Sequence, residues 1–192
     1  EKLIELSNGC ICCTLRDDLI TELRRLANEG RFDAVLIEST GISEPMPVAA
    51  SFFMPNGEGR TLQDAFRLDA MVTVVDASSF LDEYASREDV AERGLASDGS
   101  DRRMIVDLLV DQVEFADVIV INKVDLAPEA RHLERLASVL RQLNRRAILV
   151  PAIRGEVEAS SILDTRLFDP DLATTAPGWW QELHGGHTPE TE

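Results

Sequence analysis

Lysine is almost absent from this chain: Lys2 and Lys123 are the only two among 192 residues. Lys and Arg together number 19 against 35 Asp and Glu, which leaves a formal net charge of −16. A protein so short of positive charge lacks the basic surface that displaces counterions from DNA or RNA, and anionic membranes repel it. Neither nucleic acid nor a membrane is expected as a partner. Nor is there a run of about 18 apolar residues, the length a membrane-spanning helix needs. The opening Glu-Lys-Leu-Ile-Glu-Leu lacks the basic-then-apolar order of a secretion signal, so a cytoplasmic location is expected. Cysteine is missing everywhere except one short segment, Cys10-Ile11-Cys12-Cys13. An odd number of cysteines packed this closely excludes a disulfide framework, and in a reducing compartment it points instead to thiolates that hold a soft metal.

What is present is the profile of an ordinary globular protein, with 44% hydrophobic and 28% charged residues in a chain long enough for one domain with its own core. Short, β-branched apolar runs at 34–37, 71–75, 118–121 and 147–150 alternate with helical patterns. Each run is too short for a helix and apolar throughout, as expected of strands buried on both faces of a parallel sheet. The segment 15–27 places Leu19, Leu23, Leu26 and Ala27 on one face, with Thr14 as N-cap, Asp17 in a capping box and Gly30 as the stop. The segments 104–115 and 130–143 repeat the 3.6-residue period, with Pro128 suited to the first turn of the second. Strand and helix in alternation predict a doubly wound, mainly parallel α/β sheet. The polar stretch 83–103 reads as a surface insertion. From 169 onward the periodicity gives way to Pro, Thr, Gly and His, so the expected division is a domain over 1–168 and a linker over 169–192.

Val118-Ile119-Val120-Ile121 runs straight into Asn122-Lys123-Val124-Asp125. Ligands of open α/β sheets bind beyond the carboxyl ends of the strands, where this tetrapeptide falls. Its chemistry suits guanine. The Asp125 carboxylate can accept from N1–H and the exocyclic amine together, Asn122 can tie the loop and meet the purine edge, and the Lys123 stem can lie over the base. A buried acceptor left unpaired by the wrong base costs about 1–3 kcal/mol, so discrimination would be strong. A second strand end, Ala34-Val35-Leu36-Ile37, leads into Glu38-Ser39-Thr40-Gly41 and Ile42-Ser43-Glu44-Pro45. A carboxylate there is placed to hold Mg²⁺ through water, and Gly41 lets a backbone N–H approach a γ-phosphate with no Cβ in the way. Glu-x-x-Gly alone is a weak signal and gains weight beside the base-reading motif. The cysteines lie just before a helix, whose N-terminus favours thiolates. Three thiolates with a fourth position open describe a metal site that can pass its ion on, unlike closed four-ligand structural zinc.

Leu6-Ser7-Asn8-Gly9-Cys10-Ile11-Cys12-Cys13, Glu38-Ser39-Thr40-Gly41-Ile42-Ser43-Glu44-Pro45 and Asn122-Lys123-Val124-Asp125 together resemble the CobW family of P-loop GTPases, relatives of the urease and hydrogenase maturation GTPases. The resemblance implies a P-loop-type GTPase domain that couples GTP hydrolysis to delivery of zinc or cobalt. It implies Cys10, Cys12 and Cys13 for the metal, Glu38 and Gly41 for Mg²⁺ and γ-phosphate sensing, and Asn122, Lys123 and Asp125 for guanine. The partners it implies are GTP and a metal-requiring client protein, with a homodimer left open. The chain departs from the family pattern in lacking Gly-x-x-x-x-Gly-Lys-Ser/Thr, because Lys123 already belongs to the base-reading motif and Lys2 has one residue before it. The expectation is therefore a partial domain, cut before its phosphate-loop strand and before a C-terminal domain, and inactive alone. The missing strand is expected between the strand ending at Glu38 and the one ending at Asn122. The alternative is a non-catalytic zinc-binding module. His184 and His187 read as solvated linker histidines, Trp179 and Trp180 as linker anchors, and His132 is given no role.

Overall fold

The run Val118–Asn122 forms the middle strand of a parallel sheet and is its best-buried part, with Val118 and Ile119 fully enclosed. The computed structural model describes residues 3–5, 14–39, 44–90 and 103–175. In chain order the helices and strands among them are α1 (Thr14–Glu29), α2 (Pro45–Ser51), β1 (Val72–Asp76), α3 (Phe80–Tyr84), α4 (Ile105–Glu114), β2 (Val118–Asn122), α5 (Ala130–Leu143), β3 (Ile148–Pro151) and α6 (Pro170–Thr175). The sheet order is β1-β2-β3, all parallel, with Asp76 in register with Asn122 and Val118 with Ile148. Parallel neighbours need a crossover, which α3 and α4 supply between β1 and β2, and α5 between β2 and β3. This is the P-loop NTPase type of α/β fold that strand–helix alternation and the resemblance together led us to expect.

Alternation along β2 divides its side chains between two layers. Ile119 and Ile121 join Val75, Phe80, Val113, Leu136 and Leu140 in the larger core beneath α3, α4 and α5. Val118 and Val120 face the opposite way, packing with Ala152, Val72, Val157 and Ile162 under the segment that follows β3. Buried polar groups lock the connections. Asn144, 5% exposed, donates from Nδ2 to the carbonyls of Val113, Glu114 and Ala116, and its Oδ1 accepts from the N–H groups of Arg146 and Ala147. One side chain thus fixes the end of α4, the entry to β2 and the turn into β3. The Asp69 carboxylate accepts from the N–H groups of Thr165 and Arg166, anchoring the post-β3 segment beside the start of β1.

Contacts divide the chain into two compact units. The sheet unit comprises Glu38–Pro45 and Asp69–Phe168. The other includes the described parts of Glu1–Ile37, Met46–Leu68 and Asp169–Glu192. In that second unit Leu23 of α1 packs with Phe52 and Leu62, and Leu19, Ile20, Val35 and Phe66 close around them. Gly30 ends α1 as expected, adopting φ +61 and donating to the carbonyls of Leu26 and Ala27.

Four expectations are corrected. Residues 34–37 form no strand: the segment has no regular structure and pairs in no sheet, with Val35 half-buried and Leu36 69% exposed. An apolar run becomes a strand only where neighbours satisfy its backbone, and none of the described residues pairs with it. The strand ending at Asn122 has no vacancy beside it either, because β1 and β3 occupy both its edges and the sheet's outer edges belong to them. Accordingly β1 and β3 are not buried on both faces; Val74 is 64% exposed. Finally, α5 starts at Ala130 behind the cap residue Glu129, so Pro128 lies ahead of the helix rather than in its first turn.

Candidate functional site

The carboxyl ends of all three strands converge on the loop that follows β2. Asn122 closes β2, Lys123 follows with φ 59 and ψ 35, and Val124–Leu126 makes a single 3₁₀ turn. The left-handed conformation at Lys123 is rare for a residue with a side chain and costs on the order of 1–3 kcal/mol, so the surroundings must hold it. They do so from both sides. Toward β3, the Asn122 Oδ1 accepts from the Gly155 N–H at 2.9 Å, and the Val124 N–H donates to the Ala152 carbonyl at 3.3 Å. Toward β1, the Ala77 N–H donates to the Asn122 carbonyl at 2.9 Å, and the Lys123 Nζ donates to the Asp76 Oδ2 at 2.6 Å.

Asp76 is itself fully engaged. Its Oδ1 accepts from the Ser78 N–H at 2.8 Å and the Ser78 hydroxyl at 2.6 Å. Burial alone would raise its pKa, but the hydrogen bonds from Lys123 and Ser78, with the Lys123 charge, outweigh it and bring the carboxyl down to about 2. Asp125 lies in the 3₁₀ turn with an exposed side chain, where its carboxylate can meet donors on a ligand. The edge therefore offers an acceptor, an amide and an alkyl stem on a loop tied to three strand ends.

The other predicted site residues fare differently. Glu38 directly follows the unpaired 34–37 segment and is exposed. Gly41 and the cysteines Cys10, Cys12 and Cys13 lie outside the described residues, as do Trp179, Trp180, His184 and His187. Among the described residues no group of three or more His, Cys, Asp or Glu side chains is arranged to hold a metal ion. The structure thus brings together Asn122, Lys123 and Asp125, and gives no geometry joining them to the cysteines.

Sequence reasoning missed three contributors. Asp76 ends an apolar strand just as Asn122 does, and Gly155 follows the strand ending at Pro151, so the rule that ligands bind at strand carboxyl ends could have found both. His132, given no role from the sequence, sits in α5 with Nε2 2.8 Å from the Ala77 carbonyl. A carbonyl can only accept, so that nitrogen carries the proton, and the ring braces the turn between Asp76 and Ser78.

Residues 1–151 match the family described as CobW/HypB/UreG, nucleotide-binding domain. The chain belongs to this family. It is 46% identical over its full 192 residues to the zinc-regulated GTPase metalloprotein activator 1 of Dictyostelium discoideum, covering 40% of that protein. It is 30% identical over 180 residues to the zinc chaperone YjiA of Escherichia coli K12, covering 90% of this chain and 48% of YjiA. Among solved structures, the zinc-bound YjiA GTPase of E. coli superposes with a TM-score of 0.58 at 26% identity, over 82% of this chain and 42% of that one. The chain therefore spans less than half the length of these relatives. The carboxyl edge just described is the edge of a family nucleotide-binding domain.

Proposed function

We propose that the intact protein is a GTP-hydrolysing metallochaperone whose nucleotide state governs the loading and release of zinc for a metal-requiring client. The observation that carries this reading is the Asn122–Asp125 loop, clamped at the carboxyl edge of three parallel strands in a chain of the CobW/HypB/UreG family. The names of the relatives, a zinc-regulated GTPase metalloprotein activator and a zinc chaperone, support the coupling of GTP to zinc.

In this reading Asp125 accepts from the guanine N1–H and amine, Asn122 holds the loop, and the Lys123 stem covers the base. Glu38, an exposed carboxylate at the end of its segment, and Gly41 serve Mg²⁺ and the γ-phosphate. When bound, Mg²⁺ supplies positive charge to the β- and γ-phosphate oxygens. Cys10, Cys12 and Cys13 carry the cargo metal as thiolates, zinc first and cobalt as a second ion of similar coordination.

Two measurements on the intact protein test the two halves. Asp125→Asn replaces an acceptor oxygen by a donor facing the guanine amine, and should shift preference from GTP toward XTP by at least about tenfold. Unchanged GTP preference would remove Asp125 as base reader. Titration with Co²⁺ should give a thiolate-to-metal charge-transfer band that Cys10→Ser and Cys12→Ser abolish; an unchanged spectrum in both would sink the metal assignment. A zinc-binding module without turnover, the competing reading, would keep the cobalt band and show no GTP hydrolysis.

A further inference from the structure

Asp76 stands at the end of β1, outside the base-reading tetrapeptide, yet both of its oxygens are committed toward it or toward the turn beside it. Its partner Lys123 is the residue with the least favourable backbone of the loop, and its side chain would otherwise be free to swing. A lysine stem has four rotatable bonds and loses considerable entropy when it is laid along a base. If a carboxylate fixes the ammonium beforehand, that loss is met during folding rather than during ligand binding.

We propose that Asp76 is a positioning residue for the nucleotide base, holding the Lys123 ammonium so that the alkyl stem already lies where the purine face will rest. This rests on the assignment of Asn122, Lys123 and Asp125 to guanine made above. The geometry supports a dedicated role. Asp76 is in register with Asn122, so the pair spans adjacent strand ends without a gap. Ser78 fixes one carboxylate oxygen from its backbone and its hydroxyl, leaving the other aimed at Lys123. His132 holds the Ala77 carbonyl, and the Ala77 N–H binds the Asn122 carbonyl, so the turn carrying Asp76 and Ser78 is braced from α5 and from β2. The loop is thereby gripped electrostatically from β1 and by amide hydrogen bonds from β3. Because the stem contacts the purine face and not its edge, Asp76 should govern how tightly any purine nucleotide is held. Asp125 would govern which purine is chosen.

The test is stopped-flow release of a fluorescent GDP analogue from the intact protein, with steady-state GTPase kinetics alongside. Asp76→Asn should speed release about three- to fivefold, the size expected for losing a partly exposed ion pair, and raise KM for GTP more than it lowers kcat. Its preference for guanine over xanthine should stay intact. In a Lys123→Met background, adding Asp76→Asn should cost nothing further, since the partner is already gone. Release within 1.5-fold of wild type, or a full additional loss in the Lys123→Met background, would overturn the proposal. Should Asp76→Asn fail to fold, Ser78→Ala decides: it keeps the charge but removes the hydroxyl that orients it, and roughly twofold faster release supports the proposal while unchanged release overturns it. The two assignments fail separately. If Asp125→Asn switches base preference while Asp76→Asn leaves release unchanged, only the positioning role falls. If Asp125→Asn changes nothing, the base-reading assignment falls and this inference with it.

Discussion

Two apolar tetrads in this chain read alike and end differently. Val118-Ile119-Val120-Ile121 and Ala34-Val35-Leu36-Ile37 are each four residues long, apolar, and followed at once by a polar motif. The first is a strand paired on both edges and covered on both faces. The second has no regular structure, with Val35 against the α1 core and Leu36 and Ile37 exposed. Local preference for extended backbone is common to both. What separates them is the set of neighbours, since a strand's N–H and C=O groups find partners only on adjacent strands. The polar motifs inherit the difference. Asn122 and Lys123 are held by Gly155 and Asp76, whereas Glu38 stands on an exposed segment.

The largest effect that could break this contrast is on stability. Ile119→Ala, at a fully buried position between β1 and β3, should destabilise the chain by about 3 kcal/mol. Leu36→Ala should cost at most about 0.5 kcal/mol in the same chain, because a largely exposed side chain gives up little buried surface. Urea denaturation of the two variants measures both, and equal losses would mean that the 34–37 run is packed like β2 after all.

A smaller effect tests whether charge helps to hold the paired side. The Asp76 carboxyl sits at about 2 in the folded chain and near 4 when unfolded, so its contribution is present above pH 4 and is lost as pH falls toward 2. With Lys123 about half exposed, solvent screening limits that contribution to about 1 kcal/mol. The stability gap between wild type and Asp76→Asn should therefore narrow across pH 4 to 2; a gap that stays constant would show that the ion pair contributes nothing.

The smallest effect lies on α4, beneath the sheet. Asp111 has its pKa raised by burial first and then by Glu44, Glu114 and Asp107, with only Arg103 opposing. A carboxyl pushed up in the folded state costs stability once it ionises, so Asp111→Asn should slightly stabilise the protein at pH 7, an advantage that shrinks in acid. Thermal melts at pH 7 and pH 4 would show it, and a loss of stability at pH 7 would mean that the Asp111 carboxylate makes a contact of greater worth.

The sequence by itself determined the alternation of strand and helix, the carboxyl-edge placement of Asn122-Lys123-Val124-Asp125, and the glycine stop of α1. Each is written in short-range terms: period, motif spacing, a residue suited to positive φ. It also carried the family, because three motifs in fixed order are legible without coordinates. Only the tertiary structure decided that 34–37 does not join the sheet, that β2 has β1 and β3 as neighbours, and that Asp76, Gly155 and His132 support the base-reading loop. Asp76 and Lys123 are 47 residues apart and meet only because parallel strands in register bring their carboxyl ends side by side. Pairing of that kind depends on which backbone edges find each other, and no local pattern in a chain encodes the partner of an edge.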